Sequence, residues 1–290
     1  LKLFTLKPSS IPILCHKQEV VVRIPDRYEI KSPIELGLVP SDKNLPITLK
    51  IHTGKFSSLT VVVRLECGIK VKSQDYKLNV VAEEGSQVRI VEFQNLSTST
   101  QFTAQRETDS EKGASVEHIL IGLGGHSTDG SLTQTSQGID STLDASILLV
   151  ARQSQRHQFQ LSDHFTRANG RGETCVKSIA MDDGVIETKG LIKVGEKAKG
   201  TESHLRLDSL LLSRTASVTA IPALEINTND VKVGHGASVS NLNEENLFYL
   251  TSRGLDPDEA RRLMVKGFVS EVTDRLNDLP ELRDEILTLI

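Results

Sequence analysis

Across residues 1–240, apolar side chains recur at every second position in short runs, and the runs almost never shift to a helical period. Ile47, Leu49 and Ile51 alternate. So do Val61, Val63, Leu65, Cys67, Ile69 and Val71, then Leu78, Val80 and Ala82, then Leu143, Ala145, Ile147 and Leu149. Successive side chains of a strand point to opposite faces, so period two marks half-buried strands. Turn residues break the runs, as in Glu84-Gly85-Ser86, Asn169-Gly170 and Asp182-Asp183-Gly184. Recurrent short strands with turn signals define a mainly β body. A sandwich, a barrel and a solenoid are all compatible with that pattern. So much strand is long for one sandwich, which favours a stacked β-helix, although no strict short repeat is visible.

The pattern changes at Asn243. Asn243-Glu244-Glu245 reads as a helix cap followed by acidic first-turn residues, and Gly254 as a stop. Asp256-Pro257-Asp258-Glu259 restarts a helix, with Asp as cap and Pro at the first position. Pro280 interrupts, and Leu282, Ile286, Leu287 and Ile290 mark a last short helix. The expected division is a β core with its N-terminal entry segment over 1–242 and a helical unit over 243–290.

The charge balance, 34 basic against 38 acidic residues, gives −4 and argues against a nucleic-acid surface or a polybasic membrane surface. No apolar stretch approaches a membrane span, and no signal-peptide pattern opens the chain, which begins on Leu1 rather than Met. Cys15, Cys67 and Cys175 are too few and too widely spaced for a disulfide framework or a zinc knuckle. A reducing cytoplasm is the expected setting. Bland packing is the expectation for Cys67 and Cys175, which lie on or near apolar rows.

Several enzymatic motifs fail on context. Gly122-x-Gly124-Gly125 is not followed by a helix start, and Glu196 occupies the lysine slot of the P-loop-like stretch 190–197. Glu83-Glu84 and Asp182-Asp183 are adjacent on the chain, so they read as solvated turns rather than carboxylates converging across a sugar. No G-x-S-x-G elbow frames a serine. His118, His126, His157, His164 and His204 are scattered, and none is assigned a role. The acidic tail suits packing on the β body or on a partner, through Phe248, Tyr249, Leu250, Met264 and Phe268, better than DNA binding.

The strand at 231–240 holds an oddity. Val231, Val233, His235, Ala237 and Val239 share one face, so His235 sits in a row expected to be buried, between Gly234 and Gly236. Two readings stand: a core histidine with a satisfied ring nitrogen, or a neutral imidazole held for iron or a cluster. The small neighbours leave the opposite face thin, as a subunit junction would need.

The segments Pro222-Ala223-Leu224-Glu225-Ile226, Asp230-Val231-Lys232, His235-Gly236-Ala237 and Leu247-Phe248-Tyr249-Leu250-x-x-Arg253-Gly254 resemble the C-terminal signature of the SufB/SufD family. Asp208-Ser209-Leu210-Leu211-Leu212 and Glu259-Ala260-Arg261 belong to the same ordered match, which runs from about 200 to 275. Before residue 140 only compatible β character is seen. The resemblance implies a right-handed parallel β-helix (solenoid) with a small C-terminal α-helical domain. It implies a non-catalytic subunit of an iron–sulfur cluster assembly complex. Such a subunit pairs through its β-helix with a SufB-like paralogue or a second copy of itself. It docks a SufC-type ABC ATPase through its C-terminal helices, here through Phe248, Tyr249, Arg253, Met264 and Phe268.

The resemblance assigns His235 to cluster assembly at the dimer junction, as a transient ligand to iron or to an iron–sulfur cluster, with no intrinsic cofactor. One imidazole does not hold a metal tightly alone, so donors from another chain are required. Leu207 stands where SufB-like members carry a scaffold cysteine, and Gly236 where they carry a glutamate. Both departures point to the SufD side of the family. Val233 stands where many SufD-like members carry a cysteine, which removes a thiolate from the expected site. The competing classes are a β-helix polysaccharide lyase or hydrolase and a structural β-solenoid.

Overall fold

The computed structural model describes residues 2–6, 13–16, 18–39, 45–67 and 71–290. Eighteen strands among them form two nine-stranded sheets. The first holds β1 (Lys2–Leu6), β4 (Ile34–Val39), β6 (Ser58–Cys67), β8 (Gln87–Leu96), β10 (Ser115–Gly124), β12 (Thr142–Ala151), β14 (Arg171–Ala180), β16 (Thr201–Leu211) and β18 (Val231–Asn241). The second holds β2 (Ile13–His16), β3 (Glu19–Ile24), β5 (Ile47–Thr53), β7 (Ser73–Ala82), β9 (Gln101–Ser110), β11 (Ser127–Ser136), β13 (Arg156–Phe165), β15 (Val185–Val194) and β17 (Ser217–Ile226). From β3 on, consecutive strands alternate between the sheets and pair in parallel with the neighbouring coils. The result is a β-solenoid of about seven coils. Antiparallel pairs occur at the N-terminal end, β1 on β4 and β2 on β3.

The repeat lies in the backbone. Arg27, Phe56, Gly85, Gly113, Asp140, Asn169 and Gly200 all have positive φ and follow one another at steps of 27 to 31 residues. Each donates its amide to the next coil: Arg27 to Lys55 O, Phe56 to Glu84 O, Gly85 to Lys112 O, Gly113 to Ile139 O, Asp140 to Ala168 O, Asn169 to Lys199 O, and Gly200 to Asp230 O. The following residue is small and buried in most coils, as at Ser57, Ser86, Ala114, Ser141 and Thr201. The Ser86 and Thr201 hydroxyls donate three residues back, to Glu83 O and Ala198 O, at 2.7 Å each. Gly85 and Asn169, read as turn residues from sequence, are members of this corner. Asp182 belongs to a second corner with Gln153.

The inward rows of both sheets make one core, with Leu143, Ala145, Ile147 and Leu149 in the first and Leu78, Val80 and Ala82 in the second. The outward faces differ. On β9 the outward Gln101, Thr103, Gln105, Glu107 and Asp109 are exposed. On the first sheet the outward Val91, Phe93, Ile119, Ile121, Leu148 and Val150 are buried beneath helices. That is why β10 and β12 read as continuous apolar runs, Ile119-Leu120-Ile121 and Ile147-Leu148-Leu149-Val150, since a strand covered on both faces has no polar row.

Three helices follow β18: α1 (Glu244–Ser252), α2 (Pro257–Thr273) and α3 (Pro280–Leu289). The caps are those expected: Asn243 Oδ1 accepts from Asn246 N and Asp256 Oδ1 from Asp258 N, each at 2.9 Å. Pro257 and Pro280 stand in the first turns of α2 and α3, and Gly254 has φ +96°. Val265, Val269, Val272, Leu282 and Ile286 bury themselves against the first sheet, so the helices share a core with the solenoid. Arg64 bonds Glu285 at 2.8 Å and Arg89 bonds Asp278 at 2.5 Å across that seam. No helix among the described residues is long and apolar enough to cross a membrane. The side chains of Cys15 and Cys67, and Ile69 altogether, lie outside the described residues.

The solenoid interior carries titratable groups. Burial, assisted by the Arg106 charge, lowers His118 to about 3, and burial lowers His157 to about 4. Burial raises Asp163 to about 6, against hydrogen bonds from Gln134 and Thr174. In the unfolded chain the two imidazoles take up protons near the usual ~6.5. Their contribution to stability is therefore present above ~6.5 and is lost as pH falls through the folded values. Asp163 acts the other way, gaining a proton in the fold before it would in the unfolded chain, and partly offsets the loss. The thermal midpoint is expected to fall from pH 7 to about pH 4.5 by more in the wild-type chain than in His118→Gln. Equal drops in parallel melts would remove His118 from the account.

Candidate functional site at the open end of the solenoid

The N-terminal coils are backed by antiparallel strands, whereas among the described residues β17 and β18 end their sheets with no strand on the outer side. In β18 the register pairs Ser203 with Val233, Leu205 with His235 and Leu207 with Ala237. Parallel in-register strands stack like side on like side, so His235 stands in the inward row beside Leu205, which is fully buried. His235 itself is exposed. The expectation that this row is buried is corrected here. Period two fixes which way a side chain points, but coverage requires another coil, and no described strand pairs with the outer side of β18. The core-histidine reading therefore does not describe this ring, and among the described residues no hydrogen bond or ion pair is recorded for it.

Around His235 the end of the solenoid is a shallow apolar floor. Val218, Ala220, Leu224, Val231 and Val233 are only partly covered by the core beneath them. Ile221, Ile226 and Val239 are exposed on the same two strands. A Cβ added at Gly236 would meet nothing within 4 Å, so the thin face there is open space, while one at Gly234 would lie 3.3 Å from the His204 ring. Leu207 is buried in the lumen, and Val233 is half-buried.

One side-chain cluster was not foreseen from sequence. Cys175 on β14, Asp208 on β16 and Glu271 on α2 bring ligand-type atoms within 4.8 Å of one another. Both carboxylates are engaged: Lys177 Nζ bonds Asp208 at 2.9 Å and Glu271 at 3.1 Å, and Arg206 also bonds Glu271. Burial alone would lower the Lys177 ammonium, but its bonds to the two acids raise it, and both acids are lowered in return despite their own burial. Burial, with the Glu271 charge, pushes the Cys175 thiol up to about 12. A protonated thiol beside two cations makes a poor metal nest and a good clasp for α2. Phe268 completes it, with Lys177 Nζ 4.9 Å from its ring centre. Asp208 also accepts from Ser238 Oγ at 2.7 Å, tying β18 to the same knot. Only the reach of Asp208 and Ser238 across adjacent strands, visible once the register is known, could have signalled it.

The helical residues expected to meet a partner are not one face. Phe248 is 74% exposed and Tyr249 57%, with Arg253 stacked over the Tyr249 ring at 5.3 Å. No residue of α1 is buried. Met264 and Phe268 are half-buried, Phe268 against the solenoid. The acid pairs lie at corners. Glu83 bonds His52 at 2.6 Å, Glu84 lies 3.5 Å from both Lys55 and Lys112, and Asp182 accepts from Gln153 N at 3.1 Å.

Among the described residues the fold is a parallel β-solenoid, uncovered at one end, with a histidine in its last inward row and helices laid along one flank. The family model described as SUF system FeS cluster assembly, SufBD core domain, matches residues 42–268, and the chain belongs to that family. The iron–sulfur cluster assembly protein SufD of Escherichia coli is 27% identical over 255 residues, covering 77% of this chain and 60% of the relative. SufB of Bacillus subtilis is 28% identical over 201 residues, covering 69% of this chain and 43% of the relative. A SufBD family protein of Pyrococcus horikoshii is 38% identical over 117 residues, covering 40% of this chain and 25% of the relative. The chain thus spans between a quarter and three fifths of these relatives' lengths.

The two faces of the helical tail are expected to separate in mutagenesis. Ile286→Ala, at a fully buried site, should cost about 2–5 kcal/mol of unfolding free energy. Phe248→Ala should stay within about 0.5 kcal/mol, the ordinary range for surface changes. Denaturant titration of both variants checks the assignment.

Proposed function

We propose that this chain is a non-enzymatic, SufD-like scaffold subunit of a SufBCD-type iron–sulfur cluster assembly complex, acting in the cytoplasm. It joins a SufB-like paralogue, or a second copy of itself, end to end through β17 and β18. Its exposed α1 helix docks a SufC-type ABC ATPase. The observation that carries the reading is the uncovered terminal coil, where two long edge strands present unpaired backbone groups and an exposed His235. Unpaired edges are templates for another strand, and a partner coil would cover the apolar floor.

Joining is also what the chemistry of His235 requires. The cluster, as cargo, needs several donors, and this chain offers one imidazole there, with Val233 and Gly236 as its row and strand neighbours. The remaining ligands come from the opposing chain, so a site forms only on pairing. Leu207 and Gly236 support the SufD side of the family. Phe248, Tyr249 and Arg253 supply an aromatic and cationic surface suited to an interface.

His235→Ala is expected to lower cluster assembly by the reconstituted complex at least about tenfold, the scale seen when groups supporting a metal centre are removed. The isolated variant should melt as the wild type does. Phe248→Ala with Tyr249→Ala should weaken capture of the ATPase while leaving β-helix pairing intact. Assembly at the wild-type rate in His235→Ala would reject the ligand role, and undiminished capture by the double variant would reject α1 as the docking helix.

A further inference from the structure

The lumen of the solenoid carries buried polar side chains at several levels, and midway along it holds an ion pair. There the inward rows bring Glu92 and Gln94 of β8 opposite Arg106 of β9. Glu92 and Arg106 are each 1% exposed, and Arg106 Nε donates to Glu92 Oε2 at 2.5 Å. The guanidinium carbon lies 5.6 Å from the centre of the Tyr76 ring. Arg106 Nη1 and Nη2 nevertheless reach no acceptor among the described residues, and neither does Gln94 Nε2; Glu92 Oε1, the Tyr76 hydroxyl and His157 Nε2 are also unpartnered there.

Arg106 and Gln94 line one cavity of about 20 Å³, counted as space open to the centre of a water molecule. Two inward glycines lie on its wall, and side chains there would crowd it. A Cβ at Gly122 would stand 3.0 Å from Leu149 Cδ2 and 3.7 Å from Gln94 Oε1, and one at Gly130 2.8 Å from Phe159 Cδ2. His157, whose Nδ1 is paired with Thr128 Oγ1, forms part of the wall.

We propose that this cavity is a binding site for one neutral hydrogen-bond acceptor, an ordered water molecule, held by Arg106 and Gln94. Three buried donors left unmet would each cost about 1–3 kcal/mol. The volume admits a single water, which needs roughly 10–15 Å³ by this measure. An anion is disfavoured because Glu92 already balances the Arg106 charge, and a second negative charge would be desolvated without a counter-ion. The neutral state of the buried His157 ring removes the other source of positive charge. The bound water accepts from one guanidinium N–H and from the Gln94 amide, and so helps to hold the ion pair in place across the lumen.

The test is a high-resolution crystal structure of the full chain, grown in chloride and again in bromide, with melts of Gln94→Leu. Expected is one spherical density peak roughly 2.7–3.2 Å from an Arg106 Nη and from Gln94 Nε2, with no anomalous signal in bromide. Gln94→Leu should then lower the thermal midpoint, because it removes a holder of the water. An empty cavity, an Arg106 turned onto a protein acceptor, or a bromide peak would overturn the proposal. So would a raised midpoint in Gln94→Leu, the result expected if the amide lies unpaired in a dry void.

Discussion

Everything in this molecule depends on the coils staying in register, and the register is held by the corner ladder. Seven residues in the left-handed region, from Arg27 to Gly200, each pass an amide hydrogen bond to the next coil. For Arg27, Phe56, Asp140 and Asn169 that conformation costs roughly 1–2 kcal/mol apiece, because a Cβ crowds the carbonyl. The cost is met because leaving the corner would misplace a whole strand. A shift of one residue would turn every inward side chain outward. The small residue after most corners lets the chain bend sharply around the core, and its hydroxyl, where present, replaces a backbone partner lost at the bend.

This explains what could be read from the sequence and what could not. Alternation at Leu143–Leu149 and turns at Gly85 and Asn169 were legible because strands and corners are local. The repeat was not, because the corner position accepts Arg, Phe, Gly, Asp and Asn alike, and the coil length drifts between 27 and 31 residues. A search for recurring side chains therefore misses a recurrence of φ. The helix caps at Asn243 and Asp256 were legible for the same local reason. The coverage of Phe93 and Ile121 by α2 and α3 was not, since buried runs look alike whether a helix or another sheet covers them.

The exposure of His235 and the burial of Arg106 are the same lesson from opposite ends. Both stand on inward rows, but only His235 is singled out by the sequence. It lies on the last described coil, where inward means open, whereas Arg106 lies midway, where inward means enclosed. A charged side chain in the lumen is tolerable because Glu92 of the facing sheet reaches it at 2.5 Å. Asp163 is treated likewise, held by Gln134 and Thr174 at 2.8 Å each.

Asp208 connects the fold to the proposed function. It belongs to the stretch Asp208–Leu212 that first marked the family, yet it touches neither His235 nor the exposed α1 surface. It binds Ser238, three residues beyond His235, and shares Lys177 with Glu271 of α2. The terminal strand and the helical flank therefore meet at one charged knot. A solenoid end normally frays, because its last strand has a neighbour on one side only. Here the last strand is pinned through its outward row, which leaves the inward row and the strand edge open to a second coil. Pinning from outside keeps the histidine positioned without covering it. It also joins the terminal strand and α2 in one polar network through Asp208, Lys177 and Glu271.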